Sequence, residues 1–152
     1  MKIRNVVVGA TAAAVFLVAG IAWAQTRGGG DDSKRMERAK QYLTWKLNDT
    51  LDDLDADGRQ REVVHGLKDE LFAEGLKLHA SGREVREELM AEWRSPTPNA
   101  QTARAAVDRA IEGFRAFAYR AVDAGMTLHA TLRPEQRELL SQKAAQGHRG
   151  CH

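Results

Sequence analysis

The residues best able to do chemistry stand at the carboxy end. His148, Cys151 and His152 bring two imidazoles and a thiol within five residues, a donor set that ligates Zn, Cu or Ni. Cys151 is the only cysteine of the chain, so it can instead pair with a cysteine of a second chain. The alternative is a solvated tail, because ordering a tail around an ion costs conformational entropy. A second set is internal. His65 and His79 lie 14 residues apart beside an apolar stripe, and Met126 and His129 lie three apart. Brought together, they would form a His/Met site suited to soft or borderline metals. The alternative for them is packing at the edge of that stripe.

Arginine offers a different chemistry. Arg104 and Arg115 are 11 residues apart, as are Arg109 and Arg120, and that spacing is close to three helical turns, so each pair shares a face. Their stems cover apolar surface while the guanidinium heads stay in water. With Phe117 they outline a groove able to hold non-native or acidic clients weakly. The alternative is a solvated face whose arginines pair with Glu70, Glu74 and Glu88. No nucleophile–base pair, phosphate loop or catalytic carboxylate pair occurs in a credible context, and the sequence implies a non-enzyme with no cofactor beyond those metals.

These residues must be positioned by helices. The 152 residues suit one domain. Lys and Arg total 23 against 21 Asp and Glu, a formal charge of +2, which lacks the basic excess of a nucleic-acid binder. One cysteine excludes an intramolecular disulfide framework. Aromatics are 6%, and strong helix formers dominate, which points to an all-α chain. Residues 1–24 read as a signal peptide: Lys2 and Arg4 lead an uncharged run from Val6 to Ala22, and Ala22-Trp23-Ala24 is a small-x-small cleavage site. The alternative is an uncleaved anchor, since Val6 to Ala24 can just span a bilayer. Either way the chain is exported, in a bacterium to the periplasm. Residues 25–32 form a Gly-rich flexible spacer, 33–146 a helical domain and 147–152 the His/Cys tail.

Four helices follow from the patterning. Ser33 caps the first, whose stripe is Met36, Leu43, Leu47, Leu51 and Leu54. Asp55 or Asp57 caps a second, with Val64, Leu67, Leu71, Leu78, Val85 and Leu89 inward. Gly82 and the Ser81–Glu84 capping box predict a kink or restart within it. Ser95-Pro96-Thr97-Pro98 breaks the chain near Arg94, and Thr97 caps a third helix with Pro98 in its first turn. Its stripe is Val107, Ile111, Phe114, Ala118, Ala121, Gly125, Leu128 and Leu132. Pro134 opens a short fourth helix to about Gln146. The two long helices run to roughly 33–36 residues each, about 50 Å, and form an antiparallel hairpin with the two shorter helices packed at its open end. So thin a shape leaves apolar surface that one chain cannot cover, which implies a homodimer.

Leu132, Pro134, Glu135, Gln136 and Arg137 resemble the LTxxQ motif of the Spy/CpxP family of periplasmic proteins, which carries the motif twice. The other copy falls at Leu54, Asp55 and Arg59, with Asp55 as cap and Gly58 in place of the first glutamine. The resemblance spans about residues 33–146. It implies a periplasmic stress-response binding protein, either an ATP-independent holder of non-native proteins or a heavy-metal sensor, with a membrane sensor or regulator as a further partner. A close branch of heavy-metal sensors and zinc-resistance proteins implies the alternative of a periplasmic metal-resistance protein, which here would bind zinc or copper through the carboxy-terminal His/Cys tail.

Overall fold

The computed structural model describes residues 32–147. Among them are four helices and no strand. These are α1 (Asp32–Asp53), α2 (Gly58–Arg94), α3 (Ala100–Thr131) and α4 (Pro134–Gly147). The all-α expectation holds. The signal segment and the His148/Cys151/His152 tail lie outside the described residues.

The hairpin of α2 and α3 is the body of the molecule, and most contacts between elements run along it. At 37 and 32 residues, these helices are about 55 and 48 Å long at ~1.5 Å per residue. Gly82 does not kink α2, which is continuous. Buried Leu71 and Val85 anchor it on either side, and that packing outweighs the ~1 kcal/mol that Gly costs relative to Ala in a helix. The first helix begins at Asp32 and not after Ser33.

The hairpin turn also differs in its cap. Asn99, not Thr97, caps α3: its side chain accepts from the N–H groups of Gln101 at 2.8 Å and Thr102 at 3.4 Å. Glu92 holds the turn from α2 by accepting the Asn99 N–H at 2.7 Å, while the Thr97 N–H donates to Ser95 Oγ. Asn is the stronger cap of the two, and it follows both prolines.

The core sits at the open end. Leu51, Ala56 and Val64 form its centre, with Leu47 and Leu128 packed against them. The turn from α1 to α2 explains why. The Ala56 N–H donates to Leu51 O and the Asp55 N–H to Asp52 O, both at 3.0 Å, and Asp55 has a φ of 48°. This is a Schellman end, which brings Ala56 back onto Leu51. It uses Asp55 to close α1, so Asp55 is not free to cap α2.

The largest departure lies along α3. The first half of the expected stripe, Val107, Ile111 and Phe114, is not on the packing face, whereas its second half packs as expected at Ala121, Leu128 and Leu132. Ala106 and Ala121 are 0% and 1% exposed, whereas Ile111 and Phe114 are 59% and 62% exposed. The helix seats a line of small residues against α2, with Gly113 packed at Leu78. Small side chains let two long helices approach closely, and the larger apolar residues are thereby turned outward.

Candidate functional site

Asp57 is the N-cap of α2, accepting the Gln60 N–H at 2.9 Å while the Asp57 N–H donates to Gln60 Oε1 at 3.0 Å. This capping box stands two residues beyond the expected first motif copy. Leu54 packs into the core as expected, but Asp55 does not cap α2, and the glutamine of this helix start is Gln60, not the residue at Gly58. At the other helix start the Arg133 N–H donates to Gln136 Oε1 at 2.8 Å. Leu132 is buried, Pro134 opens α4 and Glu135 lies in its first turn.

The two glutamines meet. Gln60 Nε2 donates to Gln136 Oε1 at 2.8 Å, and Gln136 Nε2 donates back to Gln60 Oε1 at 3.1 Å. Their remaining amide protons reach Thr131 O at 2.9 Å and Leu54 O at 3.0 Å. Each carboxamide thus has two acceptances and two donations, the full capacity of the group. They are 5% and 2% exposed. This clasp ties the starts of α2 and α4 to the ends of α1 and α3. Lys143 with Asp53, Arg61 with Asp52 and Arg133 Nη2 on Asp55 O add charged contacts around it. The clasp leaves no room for a ligand.

The internal metal candidates are not one site. His65 and His79 lie on one continuous helix, ~21 Å apart by its rise, so no single ion can take both. Leu78 packs at Gly113, which sets His79 level with residue 113 of α3 and far along that helix from His129. Met126 is exposed. His129 is engaged by Arg137, whose Nη1 lies 3.2 Å from each ring nitrogen, and that fixed cation opposes a metal ion there. Among the described residues no three His, Cys, Asp or Glu side chains are grouped as metal ligands.

The arginines divide. Arg109 pairs with Glu88, Arg115 with Glu112, and Arg120 with Glu70 at 3.6 Å and Glu74 at 3.9 Å. Arg104 makes no ion pair among the described residues. It borders a shallow, open notch of about 230 Å³ with Leu89, Ala103 and Val107. Phe117 is half-buried. Three of these four candidate arginines are thus matched by carboxylates of the same chain.

Two carboxylates are perturbed. A hydrogen bond from Lys68 holds Asp69 below its ordinary value, against a desolvation cost and with help from Lys40 and His65. A hydrogen bond from Lys77 does the same for Glu74, again against desolvation, with Arg120 assisting. Both are surface ion pairs, and neither faces an enclosed cavity.

What the surface does offer is apolar. Tyr42 and Trp45 stand out from α1 with ring centroids 6.0 Å apart. Met90 and Trp93 are exposed near the hairpin turn, and Trp93 is 83% exposed. Along α3, Val107, Ile111, Phe114, Tyr119, Val122 and Met126 are all exposed. Sequence patterning placed Val107, Ile111 and Phe114 of these inside. The signal that could have separated them was a second stripe beside the first, Ala103, Ala106, Ala110 and Ala124, which Ala121 joins.

Comparison with known proteins finds that residues 9–138 match the family described as heavy-metal resistance. No curated protein and no solved structure matches the chain.

Proposed function

The chain belongs to the heavy-metal resistance family, and from that premise we propose that it is an exported, non-catalytic binding protein that acts under metal stress by holding non-native proteins on its outer surface. The observation that carries this reading is the exposure of large apolar side chains on α1, at the hairpin turn and along α3. A monomer's largest apolar patch is ordinarily ~300–600 Å² and often functional. Here such surface occurs at three places on a slender scaffold. Each patch contributes a weak, non-directional contact, and several together hold a flexible client without nucleotide. The matched arginines keep the rod soluble and do not select the client.

A second reading is favoured by the spacing of His148, Cys151 and His152, which suits direct ligation of Zn or Cu by the tail. One set of preparations tests both. The purified protein should suppress aggregation of a reduced, unfolding client in the absence of ATP, and Trp45→Ser with Trp93→Ser should weaken that suppression several-fold. No suppression at a several-fold excess over client refutes holding. Calorimetric titration with Zn and Cu should give binding that is lost in a form ending at Gln146. An unchanged titration in that form removes the tail from consideration.

A further inference from the structure

The three exposed apolar places differ in composition. Along α3 the exposed residues are mostly Val, Ile, Phe and Met. On α1 they are Tyr42 and Trp45, 62% and 60% exposed and set among cations. The inner face of α1 is fixed by its contacts. Leu51 is in the core with Leu47 against it. Lys68 Nζ donates to Thr44 Oγ1 at 3.1 Å, and Lys40 pairs with Asp69 at 3.7 Å. The opposite face presents Lys34, Arg38, Tyr42 and Trp45, all exposed and recurring every three or four residues, over ~17 Å of helix. The charge of α1 is also divided along its length. From Asp32 to Leu47 it carries five cations against two carboxylates, and from Asn48 to Asp53 three carboxylates and no cation. Lys34 and Arg35 stand in the first turn, where the helix dipole disfavours cations. Helix stability therefore does not account for them.

We propose that the outer face of α1 docks on an anionic lipid bilayer, with the start of the helix nearest the lipid. Tyr and Trp each have an apolar body and a polar tip, and they settle at the depth where the body is buried and the tip stays wet. Lys and Arg stems lie along the same boundary and carry their charges to the lipid phosphates. Each cation adds attraction to a negative surface. The carboxylates of the last turns are repelled, so the helix tilts and the clasp is held away from the lipid. Two rings bury little area, and a few cations alone are screened by salt, so the face needs both. The sequence supplies a further argument. The uncharged run that ends at Ala22 stands ten residues before Asp32, at most ~35 Å of chain, so a chain exported by that run brings α1 to a bilayer. The inference goes beyond the surface-binding reading. It takes one of its three places and leaves the turn and α3 to clients.

The test uses the protein as it emerges from secretion, with Trp93→Phe, and Trp23→Phe where the leader persists, so that Trp45 is the single indole. Vesicles of phosphatidylglycerol mixed with phosphatidylcholine should shift its emission to the blue. Vesicles of phosphatidylcholine alone should bind at least tenfold more weakly, and added salt should reverse the shift. Lys34→Gln with Arg38→Gln should lower the affinity for the anionic vesicles roughly 30-fold, with helicity by circular dichroism unchanged. Tyr42→Ser with Trp45→Ser should lower it several-fold, read by co-sedimentation. No shift at any lipid concentration overturns the proposal. So does an equal shift on both kinds of vesicle that the glutamine variant keeps, which would assign the contact to apolar surface alone. A shift that appears on concentrating the protein without vesicles, or with polyglutamate and not with lipid, gives the face to a protein partner and also overturns it. Aggregation suppression without vesicles keeps the two readings apart. The glutamine variant should suppress as the wild type does. A wild type that binds vesicles and suppresses nothing refutes holding and supports the lipid contact.

Discussion

Gln136 and Trp93 mark opposite ends of the hairpin and opposite solutions to burial. At the open end a polar side chain is enclosed and every hydrogen bond it can make is made. At the turn end an indole stands almost wholly in water. The difference is between where the fold is specified and where it is available. A buried amide tolerates only one arrangement of its neighbours, because any other strands a donor or acceptor. An exposed apolar surface costs little structural precision and accepts many partners.

The largest effect should come from the clasp. Gln136→Leu removes the acceptor for the Arg133 N–H and for Gln60 Nε2, and the donor to Leu54 O. Buried groups left unpaired cost ~1–3 kcal/mol each, so a loss of roughly 3 kcal/mol is expected in urea unfolding followed by circular dichroism. Replacing both Gln60 and Gln136 by Leu should cost less than the two single losses added, because neither side-chain carboxamide is then left facing an apolar partner, although the Asp57 and Arg133 N–H groups still lose their acceptors. If the single change costs under ~0.5 kcal/mol, the range of ordinary surface substitutions, the clasp is decoration and the contrast between the two ends fails.

The two faces of α3 sharpen the same comparison within one helix. Ala106→Leu or Ala121→Leu places three extra carbons between helices already in contact, and overpacking of this kind costs ~1–3 kcal/mol. Ile111→Ser, one turn away on the outer face, should change stability by no more than ~0.5 kcal/mol in dilute solution. Thermal unfolding of the three variants in parallel decides the matter. A larger loss at Ile111 than at Ala106 would mean that the packing face has been assigned the wrong way round.

The helices themselves were legible from periodicity and punctuation. The double-proline break, the long pair and the short flanking helices all follow from local rules that act within a few residues. Two features were not legible, for physical reasons. Apolar periodicity ranks residues by size, so it chose Val107, Ile111 and Phe114 as the inner face of α3. Close approach of two long helices instead rewards small residues, and the alanines took that place. The clasp is half legible: Gln136 reads as a helix-start residue, but the first motif copy aligned from Leu54 puts Gly58, not Gln60, at its glutamine position. Register there depends on Asp55 turning left-handed to close α1, a backbone event that residue types alone do not announce. The tail and leader expectations rest on residues outside the described chain, and His79 was separated from His65 and His129 only once the helices had lengths and levels.

The smallest effect belongs to the surface charges midway between the two ends. Asp69 and Glu74 ionise more readily in the folded chain than in the unfolded one, chiefly because Lys68 and Lys77 donate hydrogen bonds to them. A depressed folded value means that the unfolded state takes up protons first as pH falls. The stabilisation is therefore complete above the ordinary carboxylate range of about 3.9–4.3 and is lost as pH drops through and below it. Both pairs are open to solvent, so the loss is screened. The melting temperature should be flat from neutral pH to about 5 and then decline gently, with Asp69→Asn and Glu74→Gln together reducing the decline. Added salt should weaken the pairs at neutral pH and flatten the same slope. A decline that is steep, and unchanged in the double variant, would place the acid-sensitive groups elsewhere.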